Sequence, residues 1–418
     1  MLNEISKGVS LNTIHENKFK TITIKVDLIA PLNTENFAKR ALLTELLETN
    51  NQDYPTQTKL AQQLSKMYGA SFGTNILRYG NLSIIRINLI IPNPKYIPGR
   101  PNLLKSAFKF LKSVIFNPLS DGKKFDDDTF NLQKSNIQKY IKSLVDDKQY
   151  YSSIKLKELF YKDDPKRGKF LFGKTNQYDD ITSNNEYDYY LDVIKNNNIN
   201  FSILGEFNDD DIIKYINSMN ILSRQNTYFI DKYIHNSSNL QKIIENSKST
   251  QSNLNLAYKL PIYYDDEDFF AALIFNAVFG GTPQSKLFKN VREKYSMAYY
   301  ANSTYNALNG VLIVNSGIDA INANKVQTII DEQLNSIKVG KIDLDLLNSI
   351  KAEMINAKKS ILDNPRQILE QSFVNILLSR EINFDQWCER INKVTVEQIA
   401  QVAKKVKLQT SFLLKGDK

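Results

Sequence analysis

What this chain lacks limits it more than what it holds. Its 418 residues include one cysteine, Cys388, and two histidines, His15 and His235. A single thiol excludes an internal disulfide and any cysteine-rich zinc site, and it fits a reduced, cytoplasmic setting. Two histidines so far apart in the chain have no local ligand spacing and make no metal motif. The opening residues, Met1-Leu2-Asn3-Glu4-Ile5-Ser6-Lys7, have no apolar core, so no signal peptide is expected. The longest apolar run, around Phe269 to Phe279, is too short to cross a bilayer, so no membrane span is expected either.

Consecutive basic residues in a block are also missing, although the net charge is +9 and the pI about 9.1. Acidic runs such as Asp126-Asp127-Asp128 and Asp209-Asp210-Asp211 are interspersed with the lysines. This is the pattern of a lysine-rich solvated surface, and it ranks nucleic-acid binding last. An acidic peptide substrate or partner suits the charge at least as well. A content of 42% hydrophobic and 24% charged residues is ordinary for a globular protein, and the length suffices for two domains.

The main positive signal is an internal copy. Aligning Gln57 on Gln284, a displacement of 227 positions, sets Gln57-Thr58-Lys59-Leu60 against Gln284-Ser285-Lys286-Leu287. Leu64 then faces Val291, Tyr68 faces Tyr295 and Gly69 faces Ser296. The apolar run Ile84 to Ile91 faces Val311 to Ile318. Both halves end alike, in Phe201-Ser202-Ile203-Leu204-Gly205-Glu206 and Ser411-Phe412-Leu413-Leu414-Lys415-Gly416-Asp417. A repeat of this length is a domain duplication, because solenoid units are far shorter.

Periodicity gives the elements. Alternation over Lys20 to Ile29 predicts a strand stopped by Pro31. Helices are expected over Ala38 to Glu48, Thr56 to Tyr68 (capped by Thr56 or Thr58, stopped by Gly69), Asn102 to Ile115 and Thr129 to Leu144. Strands near Ala70 to Tyr79 and Leu82 to Ile91 join at Gly80-Asn81, and a strand at Phe201 to Leu204 with a helix at Asp209 to Ser218 closes the half. The polar stretch 223–253 has the composition of a linker. The order then restarts with a strand near Leu254 to Leu260, helices at Asp266 to Val278 and Gln284 to Tyr295, strands near Ala298 to Tyr305 and Gly310 to Ile318, and helices at Ala323 to Ile337 and Leu344 to Leu362. The expectation is an α+β fold of two homologous domains, 1–222 and 254–418, each a mostly antiparallel sheet covered by helices.

The stretch Gly280-Gly281-Thr282-Pro283-Gln284-Ser285-Lys286-Leu287-Phe288, with Val291-Arg292-Glu293-Lys294 and Ala298-Tyr299, resembles a signature of the pitrilysin/insulinase metallopeptidase family, which includes the mitochondrial processing peptidases. The resemblance covers essentially the whole chain and is closest to short bacterial members that work as two-subunit enzymes. Active members carry His-x-x-Glu-His on a helix of the first half, with a later glutamate as third zinc ligand. The matching helix here reads Leu42-Leu43-Thr44-Glu45-Leu46, so leucines stand where the histidines would be and only Glu45 keeps its type. On the later helix the family's glutamates fall on Gln133 and Tyr140. Leucine cannot bind zinc, and a lone carboxylate has no water to activate.

The resemblance also implies a role for an arginine and a tyrosine of the second half, here Arg292 and Tyr299, which reach a peptide held at the zinc site. A guanidinium pairs with a carbonyl or carboxylate, and a phenol can hold an oxyanion. The bland alternative is an arginine paired with an acid and a tyrosine packed in the core. The first-half copies are Ser65 and Phe72. The chain is therefore expected to be the non-catalytic subunit of a heterodimeric zinc peptidase, without activity or a cofactor of its own. It would close the chamber and bind peptide substrate, with zinc supplied by a homologous partner bearing the motif. A scaffold or peptide-binding protein is the alternative, and the isolated chain could pair with itself. Gly280-Gly281 is expected to be a turn between helices rather than a phosphate cradle, since no Gly-Lys-Ser/Thr follows.

Overall fold

The computed structural model describes residues 2–225, 227–236, 239–380 and 382–417. The first half runs β1 (Leu2–Ser6), β2 (Val9–His15), β3 (Thr21–Pro31), α1 (Phe37–Thr49), α2 (Gln57–Lys66), β4 (Ser71–Tyr79), β5 (Leu82–Pro92), α3 (Leu103–Phe116) and α4 (Asp127–Ser143). It continues with α5 (Lys148–Phe160), the short α6 (Pro165–Gly168), α7 (Ser183–Asn196), β6 (Asn198–Gly205) and α8 (Asp209–Asn217). The second half runs β7 (Gln241–Ser247), β8 (Ser252–Lys259), α9 (Phe269–Asn276), β9 (Ala298–Asn306), β10 (Val311–Ile318), α10 (Ala323–Lys338), α11 (Leu344–Ile361), α12 (Pro365–Leu377), α13 (Phe384–Lys393), α14 (Val396–Lys405) and β11 (Lys407–Gly416).

Both sheets share one topology. The described residues form a six-stranded sheet in the order β1-β2-β6-β3-β5-β4 and a five-stranded sheet in the order β7-β11-β8-β10-β9. Removing β1 makes the orders correspond strand for strand, including the parallel pairs β2·β6 and β7·β11. The duplication read from the sequence is thus a duplication of the fold. Two strands of it were missed, β2 in the first half and β7 in the second. The stretch 223–253, expected as a linker, contains β7, the counterpart of β2, while Asn226, Ser237 and Ser238 lie outside the described residues. A short polar strand with exposed Ile243 and Ile244 carries no alternation to betray it.

The compact units also differ from contiguous halves. The first comprises Met1–Lys142, Phe170–Ile230 and Leu362–Arg380; the second comprises Ser143–Lys169, Asp231–Ile361 and Glu381–Lys418. Each half therefore lends helical structure to the other unit, α12 to the first and α5 with the short α6 to the second. These helices explain why the central strands are buried on both faces. In β3, Ile22, Ile24, Val26 and Leu28 face the main core and contribute roughly 1.5–3 kcal/mol each. Thr23, Lys25 and Asp27 alternate with them and are buried as well. A slip of one residue would drive those charges into the apolar core, which fixes the register.

The polar face is satisfied by ions and by α12. Arg86 Nε lies 2.6 Å from Asp27 Oδ1, and Lys25 Nζ 2.9 Å from Glu370 Oε2 of α12. Arg86 and Tyr79 also bond Glu370, and the Arg86 guanidinium lies 4.8 Å from the Phe373 ring. The second unit repeats the device more simply. Leu254, Leu256 and Tyr258 of β8 face its main core, while Asn255 Nδ2 donates to Ser152 Oγ of α5 at 2.8 Å.

Local signals explain the elements near the candidate site. Thr56 caps α2 by accepting from Lys59 N, as its sequence suggests, and Gly69 ends the helix at φ +74°. No described helix is long and apolar enough to cross a membrane.

Candidate functional site

The zinc-motif positions lie on α1, packed among β4, α3 and α7. Leu42 is 0% exposed and Leu46 3%, and both belong to the main core of the first unit. Glu45 is partly buried; desolvation, then the charge of Glu48, raises its carboxyl above the usual range. The Glu48 carboxylate itself accepts from Thr74 Oγ1 at 2.7 Å, tying α1 to β4. On α4, Gln133 is buried and Tyr140 is half-exposed, its ring edge-on to Phe172 at 5.4 Å. Neither supplies a carboxylate. His15, expected before the first strand, instead ends β2 and pairs with Asp209 at 3.0 Å. His235 lies buried against the Phe160 ring in the other unit. Among the described residues no cluster of histidine, cysteine, aspartate or glutamate could hold a metal ion. Two leucines in a hydrophobic core do not fit zinc, and no step can be routed through one on this chain.

Glu186 of α7 escaped the sequence reading. Its side chain is fully buried, and neither oxygen has a hydrogen-bond partner among the described residues. Burial pushes its carboxyl well upward, and the Lys39 charge only partly opposes this. The signal was present: Glu186 lies four and seven residues before Tyr190 and Val193, both buried on the same helical face.

The second-half stretch has a different character. Here the backbone departs from regular geometry four times between Ala277 and Tyr300. Ala277–Gly281 and Phe288–Lys294 are π-helical turns, where regular helix through Val278 and over Gln284 to Tyr295 is expected from the sequence. Ser296 takes φ +50°, a conformation costly for a residue with a side chain, at the position copied from Gly69. The strand pair β9·β10 then carries a bulge: Ala298 pairs with Ile318 and Tyr300 with Gly317, leaving Tyr299 as the extra residue. Gly280 is a close-packing position, since a Cβ there would lie 2.7 Å from Ser303 Oγ. The glycine pair, expected as a turn between helices, instead closes the π-helical segment Ala277–Gly281.

That geometry presents both candidate residues outward. Tyr299 is 64% exposed on β9, an edge strand, while its neighbour Tyr300 donates its phenol to Asn253 Oδ1 at 2.6 Å. Arg292 is exposed, stacks 4.8 Å over the Phe288 ring, and has no acid partner among the described residues. The core-packed tyrosine and acid-paired arginine of the bland alternative are therefore not what this structure has. The internal copy serves as a control. Phe72, at the position of Tyr299, sits on β4 in unbroken register opposite Leu89 and packs edge-on against Phe110 at 5.0 Å. One bulge separates a partly buried aromatic packed against the core from an exposed phenol.

Comparison with known proteins places these observations. The family described as Peptidase M16 inactive domain matches residues 180–354. Over 411 residues the chain is 29% identical to the probable inactive metalloprotease YmfF of Bacillus subtilis (strain 168), covering 98% of this chain and 96% of that protein. The crystal structure of a conserved protein from Enterococcus faecalis V583 aligns with a TM-score of 0.95 and 34% identity, over 100% of this chain and 98% of that one. A peptidase M16 inactive domain from Pseudomonas fluorescens aligns with a TM-score of 0.82 over 100% and 98% of the two chains, and at 14% identity it shows the shared fold.

Proposed function

Since the chain belongs to the peptidase M16 family, as an inactive homologue whose zinc-motif positions are filled by core leucines, we propose that it is the non-catalytic subunit of a two-chain zinc peptidase. A homologous partner bearing His-x-x-Glu-His would hold the metal and do the chemistry. This chain would help to enclose the peptide and contribute Arg292 and Tyr299 to it. The observation that carries the reading is the asymmetry between copies: the bulge turns Tyr299 into solvent, while Phe72 stays packed. An exposed arginine stacked on Phe288 and an exposed phenol on a strand edge are donors without acceptors among the described residues. A peptide in extended form could pair with the free N–H and C=O groups of that edge, a mode that tolerates varied sequences. The guanidinium suits a carbonyl or carboxylate and the phenol an oxyanion.

The test is kinetic. With the zinc-bearing partner, Arg292→Ala and Tyr299→Phe should each lower kcat/KM by roughly 10²-fold, the scale of one lost oxyanion donor. Because both side chains are exposed, neither change should disturb assembly. Assembly with unchanged turnover would refute a substrate role and leave a scaffold.

A further inference from the structure

A polar cleft of about 370 Å³ lies in the first unit, between the end of β3, the start of α1 and the C-terminal part of α7. It is remote in sequence from Arg292 and Tyr299 and contains none of the zinc-motif positions. Its size falls at the lower end of the range of small-ligand clefts, roughly 300–1,000 Å³.

Arg40 lines this cleft and is 3% exposed. Its guanidinium donates to Asn197 Oδ1 at 2.7 Å, to the Leu28 carbonyl at 2.5 Å and to the Ser83 carbonyl at 3.0 Å, and it also bonds the Tyr189 phenol. No carboxylate is among these partners, and Nε has none among the described residues. A buried cation left unneutralised is costly, and every acceptor it has found is neutral. The same cleft also carries an acid. Asp192 is exposed and, among the described residues, accepts from Asn196 Nδ2 at 2.6 Å through one oxygen only. The cation is therefore deep and the acid shallow. Tyr189 and Tyr228 add aromatic walls, and Asn33 and Asn36 add amide donors and acceptors.

We propose that this cleft binds a small zwitterion, an amino acid or a short peptide, whose carboxylate is held at Arg40 and whose ammonium is held at Asp192. A carboxylate supplies the negative charge that the Arg40 guanidinium lacks. An ammonium at the rim offers three donors to the Asp192 oxygen that Asn196 leaves open. A simple anion would satisfy only the first group and would meet Asp192 as a like charge. This inference is independent of the two-subunit reading, because the pairing groups all belong to the first unit of this chain.

The experiment is calorimetric titration of the full chain with alanine, alanylalanine, acetate, alaninamide and inorganic phosphate. Alanine or alanylalanine should bind saturably, acetate more weakly, and alaninamide and phosphate not measurably. Asp192→Asn, a rim change that leaves the core intact, should weaken the zwitterion about tenfold, the effect of one charge-assisted hydrogen bond, while acetate, relieved of a like charge, should bind no more weakly. Arg40→Gln should abolish both. Should that variant fail to fold, the Asp192→Asn comparison decides alone. No saturable binding of either zwitterion, binding indifferent to Asp192→Asn, or phosphate binding as tight as alanine would each overturn the proposal.

Discussion

Leu42 and Leu46 differ from histidines in a way that stability can measure. As ligands they would be dispensable to folding; as core residues they are not. Leu46→Ala should cost about 2–5 kcal/mol in denaturant unfolding, the range for emptying a buried leucine site, while Glu45→Gln should change little. Glu186 makes a prediction of opposite sign. Its folded carboxyl is raised by burial, so the native state holds its proton more tightly than the unfolded chain. Below the unfolded carboxyl's range both states are protonated and nothing is lost. As pH rises, the unfolded chain ionises freely while the buried group cannot, and stability falls. Glu186→Gln should therefore raise Tm by several degrees near pH 8, with the gain vanishing near pH 4, as read by thermal melts across that range. The leucine substitutions were legible in the sequence because residue type alone forbids a metal bond. Glu186 was not, because burial of one carboxyl depends on what packs above the helix. The exposure of Tyr299 was not legible either: a bulge is a property of two strands, and the alternation of one strand does not contain it.

The elements that were legible are those whose signal is local. Thr56 as a cap, Gly69 as a stop and the alternation of β3 each depend on a few neighbouring residues. The exchange of α5 and α12 between units is set by contacts more than a hundred residues away in sequence, and nothing local announces it. Its trace was nevertheless present as Lys25 and Asp27 on a strand otherwise rich in isoleucine, charges that look solvent-facing until α12 covers them. This buried group gives an element-scale test. Arg86→Met leaves Asp27 buried without a partner and should destabilise the protein by about 3–5 kcal/mol, with faster amide exchange in α12. Asp27→Leu combined with Arg86→Met removes both charges and should recover much of that loss, as a double-mutant cycle in denaturant would show. A double variant no better than Arg86→Met alone would mean that the cluster acts through something other than charge pairing.

At the scale of the whole molecule, one fold has been used twice and then specialised in opposite directions. The first copy has core leucines at the helix positions that the resemblance sets against zinc ligands. The second keeps the irregular turn, the left-handed Ser296 and the bulge, features that cost stability and present Arg292 and Tyr299 to solvent. Strain at exposed polar residues in one copy, with leucines packed in the core of the other, is the distribution that the proposed subunit role requires. The most direct test is peptidase turnover measured while this chain is titrated into a zinc-bearing homologue that carries His-x-x-Glu-His. The account predicts no cleavage and no stoichiometric zinc with this chain alone, and turnover with the partner that rises and saturates at one chain per partner. Cleavage by this chain alone, or partner turnover indifferent to its addition, would contradict it.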